Sequence, residues 1–236
     1  MQPSLQFFSV IFYNLGKGLF VTDFFVSDIC IYQPPLQNPA ELPKLEFCDP
    51  LFKRRLSQIS RMTIQVVHDL IQKIPDAKNA KLVFSSFRGE LARELKINKS
   101  LYEDADVMPA SFSISVFNTP PAAATIVEKI KSGYTAVFPS NDNFYDALAA
   151  AAAPVLCGDE QKILFVYADE LIIEEYKTAY KNPYGRGEPF PLAFACLLSS
   201  EQLPAQTKMR KLNLNGLKDI KSPQEFLRSL NYEIQD

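Results

Sequence analysis

The chain has 236 residues, of which 47% are hydrophobic and 22% charged, and its formal net charge is −2. This composition is ordinary for a globular protein with its own core. It gives no support to nucleic-acid binding, which usually shows a basic patch. The densest basic cluster, Lys53–Arg55, is predicted to be a solvated helix start.

No run of the chain approaches the roughly 18 apolar residues that a membrane helix needs. The first sixteen residues also lack the basic segment with which a signal peptide begins. Four cysteines are scattered along the chain without CxxC spacing, a pattern that fits a reducing compartment. We therefore expect a cytoplasmic protein without a membrane span.

Strands are predicted where Phe, Ile, Val and Tyr concentrate, and helices where apolar residues recur every three to four positions. In chain order the pattern predicts strands at 5–13 and 24–32, a Pro-rich extended loop at 33–50, a helix at 56–74, a strand at 81–86, a helix at 89–98, a helix at 111–133 broken at 118–121, a strand at 134–139, a helix at 143–156, strands at 162–170 and 192–200, and a short helix at 222–230.

Strands that alternate with helices predict an α/β fold whose mixed, mostly parallel sheet is sandwiched between helices. The segments 134–139, 143–156 and 162–170 are expected to form one strand–helix–strand unit with a right-handed crossover. We treat 1–236 as a single domain that contains the Pro-rich loop.

The common cofactor and nucleophile motifs fail. The segment 16–21, GKGLFV, has only the first two glycines of a dinucleotide fingerprint, and neither a phosphate-binding loop nor a GxSxG elbow occurs. His68 is the only histidine, and its mid-helix position predicts a partly buried structural side chain. Cys30, Cys157 and Cys196 are predicted to pack in the core. We expect no metal site and no cofactor.

One corner has the form of an active site. In AVFPSNDNFYDALAAAAAPVL, residues 136–156, an apolar strand reaches a turn and a small-residue helix begins. Several enzyme folds place a catalytic nucleophile at such a corner, but here it carries Ser140, Asn141 and Asp142. Capping explains Asp142, and the helix dipole explains Asp146 in the first turn.

The chain resembles the β-ketoacyl synthase-like family of the thiolase superfold. More narrowly, it is similar to the short chain length factor type of aryl-polyene and related polyketide gene clusters. The segments that carry the resemblance are RRLSQISRM (54–62), FRGELARELKI (87–97), PASFSISVFNTPPAAATI (109–126), NDNFYDALAAAAAP (141–154) and ILFVYADE (163–170). The expected fold is therefore the amino-terminal half of a thiolase-like fold.

The resemblance has consequences for catalysis. The family's nucleophilic cysteine corresponds to Asn141, whose amide cannot attack an acyl thioester. The two catalytic histidines of the family lie in a carboxyl-terminal half, and this sequence has no histidine after His68. We therefore expect Ser140, Asn141 and Asp142 to be a degenerate nucleophile corner, and we expect no decarboxylative condensation by this chain alone.

The resemblance also implies a partner. Chain length factors pair with a catalytic ketosynthase and help to shape its acyl tunnel, and the segment matching SFSISVFNTPPA lies near the dimer interface and the tunnel. Either Phe112 or Phe117 could wall off a growing chain, or both could be core residues, which is the better interpretation for Phe112. Asn118 could bond across an interface or cap a helix. Arg88 and Glu90 could pair structurally.

The leading hypothesis is a non-catalytic subunit that pairs with a ketosynthase, or with itself, and helps to set chain length in aryl-polyene or fatty-acid-type biosynthesis. An acyl carrier protein would be an indirect partner. Two alternatives stay open: an acyl-thioester enzyme that uses the corner at 140–142, and a stand-alone module that binds an acyl chain.

Overall fold

The computed structural model describes residues 22–140, 143–177, 190–204 and 207–235. The strand predicted at 5–13 and two residues of the corner, Asn141 and Asp142, lie outside the described residues. The helices are α1 Pro50–Lys53, α2 Gln58–Lys73, α3 Leu91–Asp104, α4 Pro109–Phe112, α5 Thr119–Glu128, α6 Phe144–Leu156, α7 Glu174–Lys177 and α8 Pro223–Ser229. The strands are β1 Asp23–Ser27, β2 Cys30–Tyr32, β3 Lys81–Ser85, β4 Tyr134–Val137, β5 Lys162–Asp169, β6 Leu192–Ser199 and β7 Met209–Asn213.

The strands form one mixed sheet in the order β4-β3-β5-β6-β1-β7, with β2 also paired to β6. β4 and β5 lie parallel to β3 on either side of it, as the alternation of strands and helices predicted. The pairs of β5 with β6, of β6 with β1 and β2, and of β1 with β7 are antiparallel. In this single sheet the parallel pairs therefore lie at the end formed by β4, and the antiparallel pairs lie at the end formed by β7.

Both faces of the sheet are covered by helices, so its central strands are apolar on both sides. In β5, Leu164 and Val166 face the core under α2 and α5, whereas Phe165 and Tyr167 face the core under α6 and α8. This alternation follows from the two-residue period of a strand. Phe144 at the start of α6 contacts Phe165, Tyr167, Phe194 and Phe226, with ring centroids 5.5 to 6.2 Å apart.

The single strand predicted at 24–32 is two short strands along β6. The Ser27 hydroxyl accepts the Leu197 N–H at 2.9 Å, and the Asp28 N–H donates to the Lys208 carbonyl at 3.1 Å. In the segment that separates β1 from β2, these two bonds take the place of regular ladder bonds, which explains the interruption.

The helix predicted at 111–133 is also different. Residues 109–112 form α4, turns follow, and α5 begins at Thr119 with two prolines in its first turn. Proline is tolerated there because the first N–H groups of a helix have no partner inside the helix. Pro120 and Pro121 therefore lie in the first turn of a helix, whereas the sequence predicted that they interrupt one.

Two smaller predictions were wrong. Lys53 ends α1, whereas the basic cluster was expected to start a helix, and its ammonium group donates to the Lys44 carbonyl at 2.9 Å. Cys157 is exposed at the carboxyl end of α6, whereas Cys30 and Cys196 are buried as expected. The helix at 222–230 is confirmed as α8, with the Ser222 hydroxyl capping the Glu225 N–H.

Candidate functional site

The carboxyl ends of three parallel strands meet at one edge of the sheet, where open α/β sheets usually place their sites. Ser86–Glu90 follows β3, Phe138–Ser140 follows β4, and Asp169–Glu170 ends β5. The topology therefore gathers the corner, the segment around Phe117 and two carboxylates in one part of the fold.

The corner itself is polar and open. Ser140 is exposed, and its hydroxyl donates a hydrogen bond to the carboxylate of Asp146, one turn into α6. Asn143 is the N-cap of α6, because its side chain accepts the Tyr145 N–H. The structure thus brings Ser140 and Asp146 together, a pair that the sequence reading did not anticipate.

Phe117 occupies the space between β3, β4 and the loop after β3. Its ring makes edge contacts with Phe84 and Phe138, with both centroids 5.9 Å away, and it is partly buried against the core. Gly89 lies directly against this ring with φ +61°, and a Cβ there would sit 2.8 Å from the Phe117 Cδ2 atom. Phe117 is therefore a packed side chain with one edge toward the surface.

Phe112 is not the core residue that was expected, and Asn118 is not the side-chain cap that was one of its two suggested roles. Phe112 is 59% exposed, so the interpretation as a core residue was wrong. Asn118 precedes α5 without a side-chain cap, and its amide donates to the Tyr134 hydroxyl of β4 at 3.1 Å within the same chain. Asn118 therefore fastens the start of α5 to the edge strand.

A shallow groove of about 390 Å³ lies between α3 and the turns before α5. Its lining residues are Glu94, Ile97, Asn98, Phe112, Ser115, Val116 and Phe117. Large apolar side chains are exposed in the same stretch of the chain, among them Leu101, Tyr102 and Met108. These exposed residues lie in α3 and in the segment between α3 and α4.

A buried polar network lies at the end of β5. Asp169 accepts the Ser86 hydroxyl at 2.6 Å and the Arg88 N–H at 3.1 Å, and it also accepts the Tyr167 hydroxyl. The Arg88 guanidinium lies 3.7 Å from Asp169 and donates to the Glu170 carbonyl at 2.9 Å. Arg88 thus pairs with Asp169, and the suggested pair with Glu90 was wrong.

Glu170 and Glu90 are two further buried carboxylates, and they lie between the amino ends of α2 and α3. Glu170 accepts the Ala92 N–H at 3.1 Å and the Ile59 N–H at 3.4 Å. Burial, followed by the negative charge of Glu90, raises the pKa of Glu170 from 4.5 to about 7. The sequence offered one signal for this site, namely acidic residues directly after the apolar strand β5.

His68 has the structural position that its sequence context predicted. It is half-buried, its Nδ1 lies 2.9 Å from the Glu128 carboxylate, and its ring stacks on Phe47 with centroids 3.5 Å apart. Over the described part of the chain, no group of three or more His, Cys, Asp and Glu residues is arranged to hold a metal ion. The helices described also include none that is long and apolar enough to cross a membrane.

Comparisons with solved structures place this architecture in the ketosynthase-like α/β fold. The chain is similar to a structure of a ketosynthase (ApeO) in complex with its chain length factor (ApeC) from Xenorhabdus doucetiae. Sequence identity is 24% over 75% of this chain and 79% of that one, with a TM-score of 0.60.

Two further similar structures are longer. A β-ketoacyl synthase from Burkholderia phymatum STM815 has 12% identity over 68% of this chain and 46% of that one, with a TM-score of 0.53. The second is a structure of a type II PKS acyl-carrier protein in complex with its ketosynthase. The matching chain in it has 14% identity over 67% of this chain and 51% of its own length, with a TM-score of 0.51. The chain thus spans about half the length of these two relatives.

A family model assigns the sequence more directly. The model described as β-ketoacyl synthase, N-terminal domain, matches residues 32–232, and the chain belongs to this family. No curated protein sequence matches it.

Proposed function

We propose that this chain is a non-catalytic β-ketoacyl synthase-like subunit that pairs with a catalytic ketosynthase, as chain length factors do. In that role it would help to shape the acyl tunnel and set chain length in aryl-polyene or related fatty-acid-type biosynthesis, in the cytoplasm. An acyl carrier protein would meet it only through the ketosynthase. The observation that carries the proposal is an apolar surface at one edge of the sheet that is exposed in the described part of the chain.

This surface, called the β4 surface below, consists of the outer edge of β4, Phe138 and the groove residues Phe112 and Val116. β4 pairs only with β3 among the described strands, so its other edge presents backbone groups without a strand partner there. Phe138 is 60% exposed and touches Phe117, which lines the groove. Edge and groove are therefore continuous.

Such a surface favours a protein over a small ligand. Unpaired strand edges are templates for pairing with another chain, and clustered exposed apolar residues mark interaction sites. An acyl chain could cover the apolar side chains but has no groups for the N–H and C=O row of β4. The similarity to a ketosynthase in complex with its chain length factor supports a ketosynthase as the partner.

The chemistry of the corner supports a non-catalytic role. The sequence has Asn141 where the family resemblance expects a cysteine. His68 of α2 is the only histidine of the sequence. It contacts Glu128 through its Nδ1 atom and stacks on Phe47. This chain therefore has no imidazole to activate the Ser140 hydroxyl.

The test is co-expression with a ketosynthase from the same genome, followed by affinity purification and light scattering. The expected product is a heterodimer that Phe138→Glu or Val116→Glu disrupts. Leu51→Glu is the matched control, because Leu51 is 69% exposed and lies outside the β4 surface. A stable monomer that does not co-purify with the ketosynthase, or equal disruption by Leu51→Glu, would contradict the proposal.

The hydrogen bond between Ser140 and Asp146 favours a second candidate, an acyl-thioester enzyme that uses this corner. Thioesterase and acyl-transfer assays on the wild-type protein and on Ser140→Ala, Asp142→Asn and Asp146→Asn test it. We expect no wild-type activity above background. Activity that any of these three substitutions removes would replace the non-catalytic proposal. A monomer that binds a fatty-acyl probe in the groove would instead support a stand-alone acyl-binding module.

A further inference from the structure

Helix α3 is attached to the fold differently from its neighbours. None of its fourteen residues is buried, and Tyr102 near its carboxyl end is 92% exposed. A helix that buries no side chain gains little from hydrophobic packing. Its attachment therefore depends on polar contacts, which are those at its amino end and an exposed ion pair between Lys99 and Glu175 of α7.

The amino end of α3 meets the amino end of α2 at the two buried glutamates. Glu170 reaches from the end of β5 and accepts one N–H from each helix, that of Ala92 in α3 and that of Ile59 in α2. Glu90, the residue before α3, accepts the Ser57 and Ser60 hydroxyls at 2.7 and 2.6 Å. One carboxylate thus joins both helices, and the other lies beside it.

The charged groups around Glu170 come from every element that packs there. The segment before α3 supplies Glu90 and Arg88, and α3 supplies Arg93 and Glu94. β5 supplies Asp169, and α2 supplies the hydroxyls that Glu90 binds.

The two cations in this set are directed at other groups. The Arg93 Nε donates to Glu90 at 3.2 Å, and the Arg88 guanidinium pairs with Asp169 and binds the carbonyl of Glu170. The N–H bonds from Ala92 and Ile59 favour the ionised carboxylate of Glu170, but its burial and the negative charge of Glu90 outweigh them and favour the neutral form. The Ile59 N–H bond is long at 3.4 Å, so the oxygen that accepts it is the better place for a proton.

We propose that Glu170 is a protonation-dependent latch: its neutral form closes the amino end of α3 onto α2, and its ionisation favours opening of α3. Opening would hydrate the carboxylate and return its proton affinity toward the ordinary value. Because the open state then holds the proton less tightly, opening becomes more favourable as pH rises from about 4.5 to about 7 and levels off above that. The latch itself requires no partner.

One consequence rests on the proposed function. The groove has Glu94 and Ile97 of α3 on one side, so opening of α3 would change the shape of the β4 surface. Pairing with a ketosynthase would then depend on pH, whereas the latch can be measured on this chain alone.

Hydrogen exchange of the isolated chain, read by mass spectrometry from pH 5 to 8.5 and corrected for intrinsic exchange rates, tests the latch. We expect the protection of residues 91–104 to fall about 100-fold over this range in the wild type, and that of α2 to change little. In Glu170→Gln the protection of α3 should not depend on pH. Glu90→Gln removes the like charge and should move the midpoint to lower pH.

The matched control is Glu103→Gln, which changes an exposed glutamate near the carboxyl end of α3, and its midpoint should equal that of the wild type. Carbon-13 NMR of the Glu170 carboxyl should titrate at the pH at which the fall in α3 protection levels off. Protection of α3 that does not vary with pH in the wild type, or that varies equally in Glu170→Gln, overturns the latch. If Glu170→Gln does not fold, an unshifted midpoint in Glu90→Gln overturns it.

Discussion

Helices α2 and α3 begin beside the same carboxylate, yet they are held in opposite ways. α2 buries nine residues, among them Met62, Val66 and Leu70, whereas α3 buries none. Both sequences carry apolar residues at helical spacing. The comparison shows that apolar residues at helical spacing predict a helix with one apolar face. They do not specify whether that face packs against the rest of this chain.

The largest expected effect is on α2, the helix that is packed in the core. Met62→Ala should lower the free energy of unfolding by about 2–5 kcal/mol, because it removes a fully buried side chain and leaves a cavity. Leu101→Ala on α3 should change it by less than about 0.5 kcal/mol, as an exposed position does. Urea unfolding measures both. Equal losses would show that α3 is packed as firmly as α2.

The junction between the two helices should make stability depend on pH. Glu170 has a pKa of about 7 in the folded chain and 4.5 as its ordinary value. Its contribution is therefore most favourable below pH 4.5 and declines as pH rises to about 7, by about 3 kcal/mol in total. Glu170→Gln should remove this decline. Unfolding free energies of both proteins between pH 4 and 8.5 check it, and parallel curves would contradict the assignment.

The smallest expected effect compares two helix caps. Ser222→Ala at α8 should cost about 1 kcal/mol, the usual value for a lost N-cap. Ser57→Ala at α2 should cost more, about 2 kcal/mol, because the Ser57 hydroxyl also donates to the buried Glu90. Chemical unfolding at one pH gives both values. If Ser57→Ala lowers the free energy of unfolding by no more than Ser222→Ala does, the hydrogen bond from Ser57 to Glu90 does not contribute to stability.

Much of the fold was predictable because local patterns are strong where both faces of an element are buried. The periods of 3.6 and 2 located α2, α6, β3, β5 and β6 within a few residues. The Pro-Pro pair was predicted to break a helix, but proline is also common in the first turn of a helix. The residue type alone does not distinguish these two positions. The split of β1 from β2 depends on Ser27, a residue whose hydroxyl meets β6 far along the chain.

The candidate sites were less predictable. The corner was recognised from its strand, turn and small-residue helix, but the contact between Ser140 and Asp146 was not. Phe112 and Phe117 are five residues apart and have different surroundings, one largely exposed and the other packed on Gly89. Turns separate them, so no helical period relates their orientations.

The sequence by itself determined the family, the alternating elements, the apolar strands and the residue types at the corner, since these depend on neighbours within a few positions. Tertiary structure alone decided that the carboxyl ends of β3, β4 and β5 share one edge and that β6 runs antiparallel beside β5. It also decided that Glu90 and Glu170, eighty positions apart, lie in the same dry site between two helix ends. Burial and the neighbouring charge of Glu90 raise the pKa of Glu170 because folding excludes water from around it, and no local pattern encodes that exclusion.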